Sequence, residues 1–120
     1  MYKHKLERPL TCGVGVTMEL LGGKWKPCLL HNIRQDLRRP SQLHRSNATA
    51  TPRVLNQQLK ELEADGLIYK VIHAVLPPKV EYFLTPFGES LLAVVDAMQS
   101  WGEAHGDEFR AVVARRLEQS

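Results

Sequence analysis

Arg53, Asn56, Gln57 and Lys60 recur at i, i+3, i+4 and i+7, the spacing of one face of a helix. Their side-chain types are those that read a DNA major groove: Arg pairs bidentately with guanine, Asn or Gln with adenine, and Lys with phosphate. Leu55, Leu59 and Leu62 take the same period on the other side and form an apolar stripe. Thr51 is placed to cap this helix, Pro52 falls at its first position, and Gly66 closes it with a residue at ease in the left-handed region. An ordinary surface helix also has a leucine side and a polar side, so its surroundings decide its meaning.

Charge is the first of these surroundings. Residues 1–60 hold 11 Lys/Arg against 3 Asp/Glu, whereas residues 61–120 hold 5 against 10. From Leu37 to Lys60 there is no acid, yet Arg38, Arg39, Arg45, Arg53 and Lys60 fall there. Such one-sided charge is the footprint of a nucleic-acid surface; the alternative is a merely solvated basic face.

The elements around it follow from period and punctuation. A first short helix is expected over Val14 to Leu21, with Val14, Met18 and Leu21 on one face and Gly22-Gly23 ending it. A second runs from about Trp25 to Gln35 on Trp25, Leu29 and Ile33, its ordered part starting at Lys26 or Pro27 because proline fits only the first turn. A third covers Pro40 to Arg45, with Ser41 as its cap and Leu43 as its anchor, and a small polar turn, Ser46 to Ala50, leads to the fourth. From Leu67 the period becomes two: Leu67–Val75 and Val80–Thr85 read as strands of a hairpin with Leu76-Pro-Pro-Lys79 at its tip. Thr85-Pro86 repeats the start signal of Thr51-Pro52 and opens a fifth helix on Leu91, Val95, Met98 and Trp101, with Gly102 and Gly106 set to interrupt or bend it and Phe109, Val112, Val113 and Leu117 continuing the pattern. Two helices, a short turn and a hairpin make a mainly α fold with a small β-hairpin, a winged helix-turn-helix, in which the fourth helix reads DNA and the tip with Lys79 is the wing.

At 120 residues the chain is expected to be a single domain, 1–120. No apolar run has the length of a membrane span, and the opening Met-Tyr-Lys-His-Lys-Leu-Glu-Arg-Pro lacks a signal-peptide core, so a cytoplasmic location away from membranes is expected. Cys12 and Cys28 make no disulfide framework. His4, His31, His44, His73 and His105 are scattered, and no metal or cofactor is expected. Neither a phosphate-cradling glycine loop nor a nucleophile elbow is present, which argues against an enzyme.

The runs Leu20-Leu-Gly-Gly-Lys-Trp25, Leu55-Asn-Gln-Gln-Leu-Lys-Glu-Leu-Glu-Ala-Asp-Gly-Leu67, Pro77-Pro-Lys-Val-Glu-Tyr82, Leu84-Thr-Pro-Phe-Gly88 and Trp101-Gly, with Cys12 before them, resemble the HxlR-type transcriptional regulators, bacterial winged-helix proteins allied to the MarR group. The resemblance covers about residues 12–105. Pro27 and Pro40 depart from the usual aliphatic or Thr and aromatic residues at those places, and both are compatible with helix starts. The resemblance implies a homodimer on a roughly palindromic operator, repression as the commoner mode, and an interface made by the first and last helices. Val14, Met18, Leu91, Val95, Met98, Trp101 and Phe109 are its expected residues, and 86–118 its C-terminal dimerisation region. An apolar stripe on the last helix must in any case be buried against something, the rest of the chain included.

On this reading Arg38, Arg39, Arg45 and Lys79 are the expected phosphate contacts, with Lys24 or Lys26 added and Ser41, Thr49 and Thr51 beside them. Cys12 precedes the first helix, where unpaired N–H groups favour a thiolate, and Arg8 is nearby in sequence. Several HxlR-type regulators have a cysteine at this place, and in some of them the thiol senses quinones, aldehydes or oxidants; a small-molecule or electrophile effector is what the resemblance implies, against the plain alternative of a small buried residue. Cys28, beside Trp25 and Leu29, is expected to be structural. The competing function is a winged helix that contacts protein or RNA, since fold alone does not fix function.

Overall fold

The computed structural model describes residues 10–119, so His4, Arg8 and the opening run lie outside the described residues. The chain divides into two compact units, residues 1–90 and 91–120. In order, the elements are α1 (Gly13–Leu20), α2 (Lys26–Arg34), α3 (Pro40–Ser46), α4 (Pro52–Ala64), β1 (Ile68–His73), β2 (Lys79–Leu84) and α5 (Pro86–Glu118). They are the five helices and the hairpin of a winged helix-turn-helix.

Local chemistry sets most of the boundaries. Thr51 Oγ1 accepts a hydrogen bond from the Val54 N–H at 3.2 Å, and Pro52 occupies the first helical position of α4. At the other end Gly66 has φ +77°, and the N–H groups of Gly66 and Leu67 donate to the carbonyls of Glu63 (3.1 Å) and Leu62 (3.0 Å). This double closure satisfies two of the last free carbonyls. α2 ends the same way without a glycine: Asp36 takes φ 65°, and the N–H groups of Asp36 and Leu37 donate to Ile33 and Asn32, each at 3.1 Å. Asp is among the few non-glycine residues that tolerate that region. Thr85 mirrors Thr51, accepting from the Gly88 N–H at 3.0 Å and donating to the Gly66 carbonyl at 2.6 Å. A Cβ at Gly88 would strike the Leu67 carbonyl oxygen, so only glycine fits there.

Several expectations are corrected. Ser41 does not cap α3; Gln42 Oε1 instead reaches back to the N–H groups of Arg38 and Arg39, each at 3.1 Å, and leaves Ser41 exposed inside the first turn. Gly102 and Gly106 do not interrupt α5. The first strand is shorter than its apolar pattern, the second keeps its length but starts one residue earlier, and Lys79 therefore belongs to β2, opposite His73, rather than to the tip. The first helix, α1, ends at Leu20, one residue earlier than expected, with Leu21 half-buried just past it; Val14 and Met18, expected at an interface between copies, are exposed in one copy.

The core of the first unit is Leu29, Leu30 and Ile33 from α2, Leu43 from α3, Leu55, Leu59 and Leu62 from α4, and Leu67 and Ile68 at the start of the hairpin. α2 packs on α3, α4 and β2, while α4 also packs on β1. Each of these side chains contributes about 1.5–3 kcal/mol on removal from water, so the leucine stripe of α4 is what fixes its polar side outward. Trp25 is only half-buried and lies outside that core. In the second unit Leu91 and Val95 are buried, whereas Val94, Met98, Trp101, Phe109 and Leu117 are exposed. The Trp101 ring stacks on His105 with centroids 4.6 Å apart.

Candidate nucleic-acid interface

α4 has three faces rather than two. Its leucines face the core. Arg53, Asn56 and Lys60 are exposed on the opposite side. A third strip holds Gln58 and Glu61. Gln58 Oε1 accepts from the Trp25 backbone N–H at 2.8 Å, and a Cβ at Gly23 would come within 2.8 Å of the same side-chain amide. Glu61 Oε1 lies 2.9 Å from Lys26 Nζ, and Lys26 is 1 % exposed. Lys26 is therefore an internal strut between α2 and α4, not the phosphate contact expected of it; Lys24 is exposed, its ammonium 5.3 Å from the Trp25 ring centre. Gln57 is half-buried, with a long 3.4 Å hydrogen bond from its Nε2 to Glu61 Oε2.

The turn before α4 is held from below. Asn47 is buried and donates from Nδ2 to Asn32 Oδ1 at 2.9 Å and to the Leu43 carbonyl at 2.8 Å, while the Ala50 N–H donates to the Asn47 carbonyl at 3.0 Å. With the turn pinned, Arg45, Thr49 and Thr51 stand exposed along one edge, and Arg39 and Ser41 are exposed at the start of α3.

Arg38 differs from its neighbours. Its carbonyl accepts from the Tyr82 N–H at 2.8 Å, its guanidinium sits 4.5 Å from the Phe83 ring centre, and Nη2 lies 2.6 Å from Asp36 Oδ1. Half-buried and engaged three ways, it ties the hairpin to the α2–α3 link. At the wing, Glu81 gathers His73 Nε2 at 2.8 Å and Lys79 Nζ at 3.6 Å. Desolvation alone would raise the Glu81 carboxyl, but the His73 hydrogen bond and the Lys79 charge outweigh it and hold the group below its ordinary value. Leu76 at the tip is 97 % exposed, and residues 75–80 with Arg39, Pro40 and Ser41 line an open cleft of about 510 Å³.

The expected DNA contacts thus gather on the first unit as an exposed set (Arg39, Ser41, Arg45, Thr49, Thr51, Arg53, Asn56 and Lys60), with Gln57, Arg38 and Lys79 partly engaged by the protein itself. Sequence reading missed His44, whose Nε2 lies 2.9 Å from Asn56 Oδ1, and the supports Gln42, Asn47 and Gln58. Polar residues beside a predicted helix end were the available signal for Gln42 and Asn47; for Gln58 and His44 there was none, because each pairs across long sequence separation.

Cys12 is exposed at the position preceding the first turn of α1. Cys28, expected to be structural, is exposed too. Among the described residues no group of three His, Cys, Asp or Glu could hold a metal, and no helix is long and apolar enough to cross a membrane.

A family model described as HxlR-like helix-turn-helix matches residues 20–110. The chain belongs to that family. An HTH-type transcriptional regulator of Bacillus subtilis (strain 168), YtcD, is 42 % identical over 101 residues, 80 % of each chain. Among solved structures, the redox regulator HypR in its reduced form is 39 % identical with a TM-score of 0.76, covering 83 % of this chain and 99 % of HypR. The reduced form of the transcriptional regulator YodB from B. subtilis is 28 % identical with a TM-score of 0.64, covering 78 % and 93 %. Membership makes this HxlR-family chain a DNA-binding, helix-turn-helix transcription regulator; its relatives are regulators, not enzymes.

Proposed function

We propose that the protein works as a homodimeric repressor, a single winged-helix domain whose residues 86–118 form the dimerisation region, on a pseudo-palindromic operator. α4 enters the major groove of each half-site. Arg53 reads guanine and Asn56 or Gln57 reads adenine. Arg39, Arg45, Lys60, Lys79 and the hydroxyls of Ser41, Thr49 and Thr51 position the helix on phosphates, with Arg38 contributing through the charge it keeps beside them. The observation that carries this reading is the exposed side of α4 with Arg53, Asn56 and Lys60, which meets no acid before Glu61, set opposite a fully buried leucine side. Exposed Val14, Met18, Met98, Trp101 and Phe109 support the interface between copies; Leu91 and Val95, already buried within one chain, support it from behind. Two-fold symmetry then sets half-sites one DNA turn apart, roughly 34–36 Å.

Cys12 is the proposed sensor. Its exposure and its place ahead of α1 support attack of its sulfur on a quinone, an aldehyde or an oxidant. HypR, a redox regulator, and YodB, solved in a reduced form, are the relatives that favour this signal over others. Modified Cys12 at the edge of the interface would turn the two reading heads and change operator affinity.

Footprinting on the protein's own promoter tests the first reading. A two-lobed, salt-sensitive footprint is expected, with log affinity falling by about 0.9 per phosphate contact per decade of salt. Failure to protect any segment there or beside neighbouring genes sinks it. For the sensor, operator affinity is compared before and after diamide or a quinone; unchanged affinity of fully modified protein, or an undiminished response in Cys12→Ser, refutes it.

A further inference from the structure

We propose that His44 is a positioning residue for base reading, holding the Asn56 carboxamide in the one orientation that matches an adenine edge. The proposal rests on α4 lying in the major groove, as argued above. His44 Nε2 stands 2.9 Å from Asn56 Oδ1, across the angle between α3 and α4. Neither backbone is free to drift: the residue before each, Leu43 and Leu55, is fully buried, and the His44 carbonyl accepts from the N–H of the pinned Asn47 at 3.3 Å.

The chemistry of the pair is directional. A carboxamide oxygen carries no proton, so the imidazole donates, with its hydrogen on Nε2. That bond takes one lone pair of Oδ1, and a half-turn of the amide, exchanging oxygen and nitrogen, loses it for as long as the hydrogen stays on Nε2. What remains for a partner is the second lone pair of Oδ1 beside the N–H groups of Nδ2, in fixed order. Adenine presents a matching pair in the major groove, the N6 donor beside the N7 acceptor. Guanine presents two acceptors, N7 and O6, and a fixed Oδ1 facing O6 is repelled. An unrestrained Asn56 would meet either edge only after losing its own side-chain freedom, a cost that prior ordering by His44 removes. His44 thus acts on selectivity without itself reaching a base.

The test uses the full-length protein on its footprinted operator, with adenine or guanine at the pair facing Asn56. His44→Leu is expected to weaken binding to the adenine operator about 2- to 10-fold, the range for one hydrogen bond, and to narrow the adenine-over-guanine preference. His44→Gln, which keeps a side-chain N–H, is expected to recover most of that preference. In an Asn56→Ala background, His44→Leu should change nothing further, and thermal melting should be unaltered in all variants. Equal loss in that background would make His44 a DNA contact in its own right and overturn the proposal. Unchanged preference in His44→Leu overturns it as well. A wild-type chain with no footprint at all refutes the groove reading instead, and the proposal falls with it.

Discussion

α4 and α5 carry the same sequence signal and resolve it in opposite ways. Leu55, Leu59 and Leu62 of α4 are sealed in the core of the first unit. On α5, Leu91 and Val95 are buried, but the stripe then continues through Met98 and Trp101, 49 % and 65 % exposed, to exposed Phe109 and Leu117. A helical apolar period states that a face must be covered and is silent about whether the cover comes from the same chain. In α4 the cover is intramolecular, and the helix is rigid enough to aim side chains. In the later turns of α5, Val112 and Val113 are half-buried while Met98, Trp101, Phe109 and Leu117 stay exposed in one copy, and a second copy is the proposed cover.

The largest effect expected from this contrast lies in α4. Leu59→Ala should lower the unfolding free energy by about 2–5 kcal/mol, the range for a large-to-small change in a packed core, read by urea denaturation. A loss under about 1 kcal/mol would show that the stripe is not sealed. Trp101→Ala should leave the far-UV circular dichroism unchanged and instead weaken self-association by about 2 kcal/mol or more, a roughly 30-fold rise in the dimer dissociation constant by sedimentation equilibrium. A protein whose self-association ignores Trp101 would mean that this face is covered by something other than a second copy.

Legibility in the sequence follows the same divide. Signals carried by neighbours along the chain were readable: Thr51-Pro52 and Thr85-Pro86 as starts, Gly66 as a stop, the change from period 3.6 to period 2 at Leu67. The exposed side of α4 was readable too, because burying its leucines leaves the other side no choice. Features made by distant residues were not. Lys26 reads as a free cation until Glu61 is seen 2.9 Å away, and Arg38 as a phosphate contact until Phe83 and Asp36 are found beside it. Cys28 reads as structural beside apolar Trp25 and Leu29, yet it is exposed.

The arginines extend the comparison within the first unit. Arg53→Ala should cost about 1–3 kcal/mol of discrimination at one base pair and leave folding untouched. Arg39→Ala should weaken binding nearly uniformly across sequences and reduce the salt slope by about 0.9. Arg38→Ala should act chiefly on the protein: losing a guanidinium stacked on Phe83 costs about 0.5–1 kcal/mol of stability by thermal or urea unfolding. Equal salt slopes for the two variants, each reduced by the same step, would place Arg38 on DNA as fully as Arg39.

The smallest effect returns to α5. Gly102 sits inside a 33-residue helix, and a Cβ built on it meets nothing within 4 Å in a single copy. Judged on one chain alone, Gly102→Ala is therefore stabilising by about 0.5–1 kcal/mol, since alanine loses less backbone freedom in a helix interior than glycine does. Gly102 follows Trp101 directly and shares the uncovered stretch with Met98. If a second copy closes over this stretch at backbone distance, the added methyl group meets it, and the same substitution raises the dimer dissociation constant while the helix itself becomes firmer. The two readouts then move in opposite directions: helicity and melting at low concentration rise, and self-association falls. If both rise together, the partner helix stands off at side-chain distance and Gly102 is only a tolerated cost. A glycine with open space around it thus measures, more finely than Trp101, how closely the missing cover approaches α5.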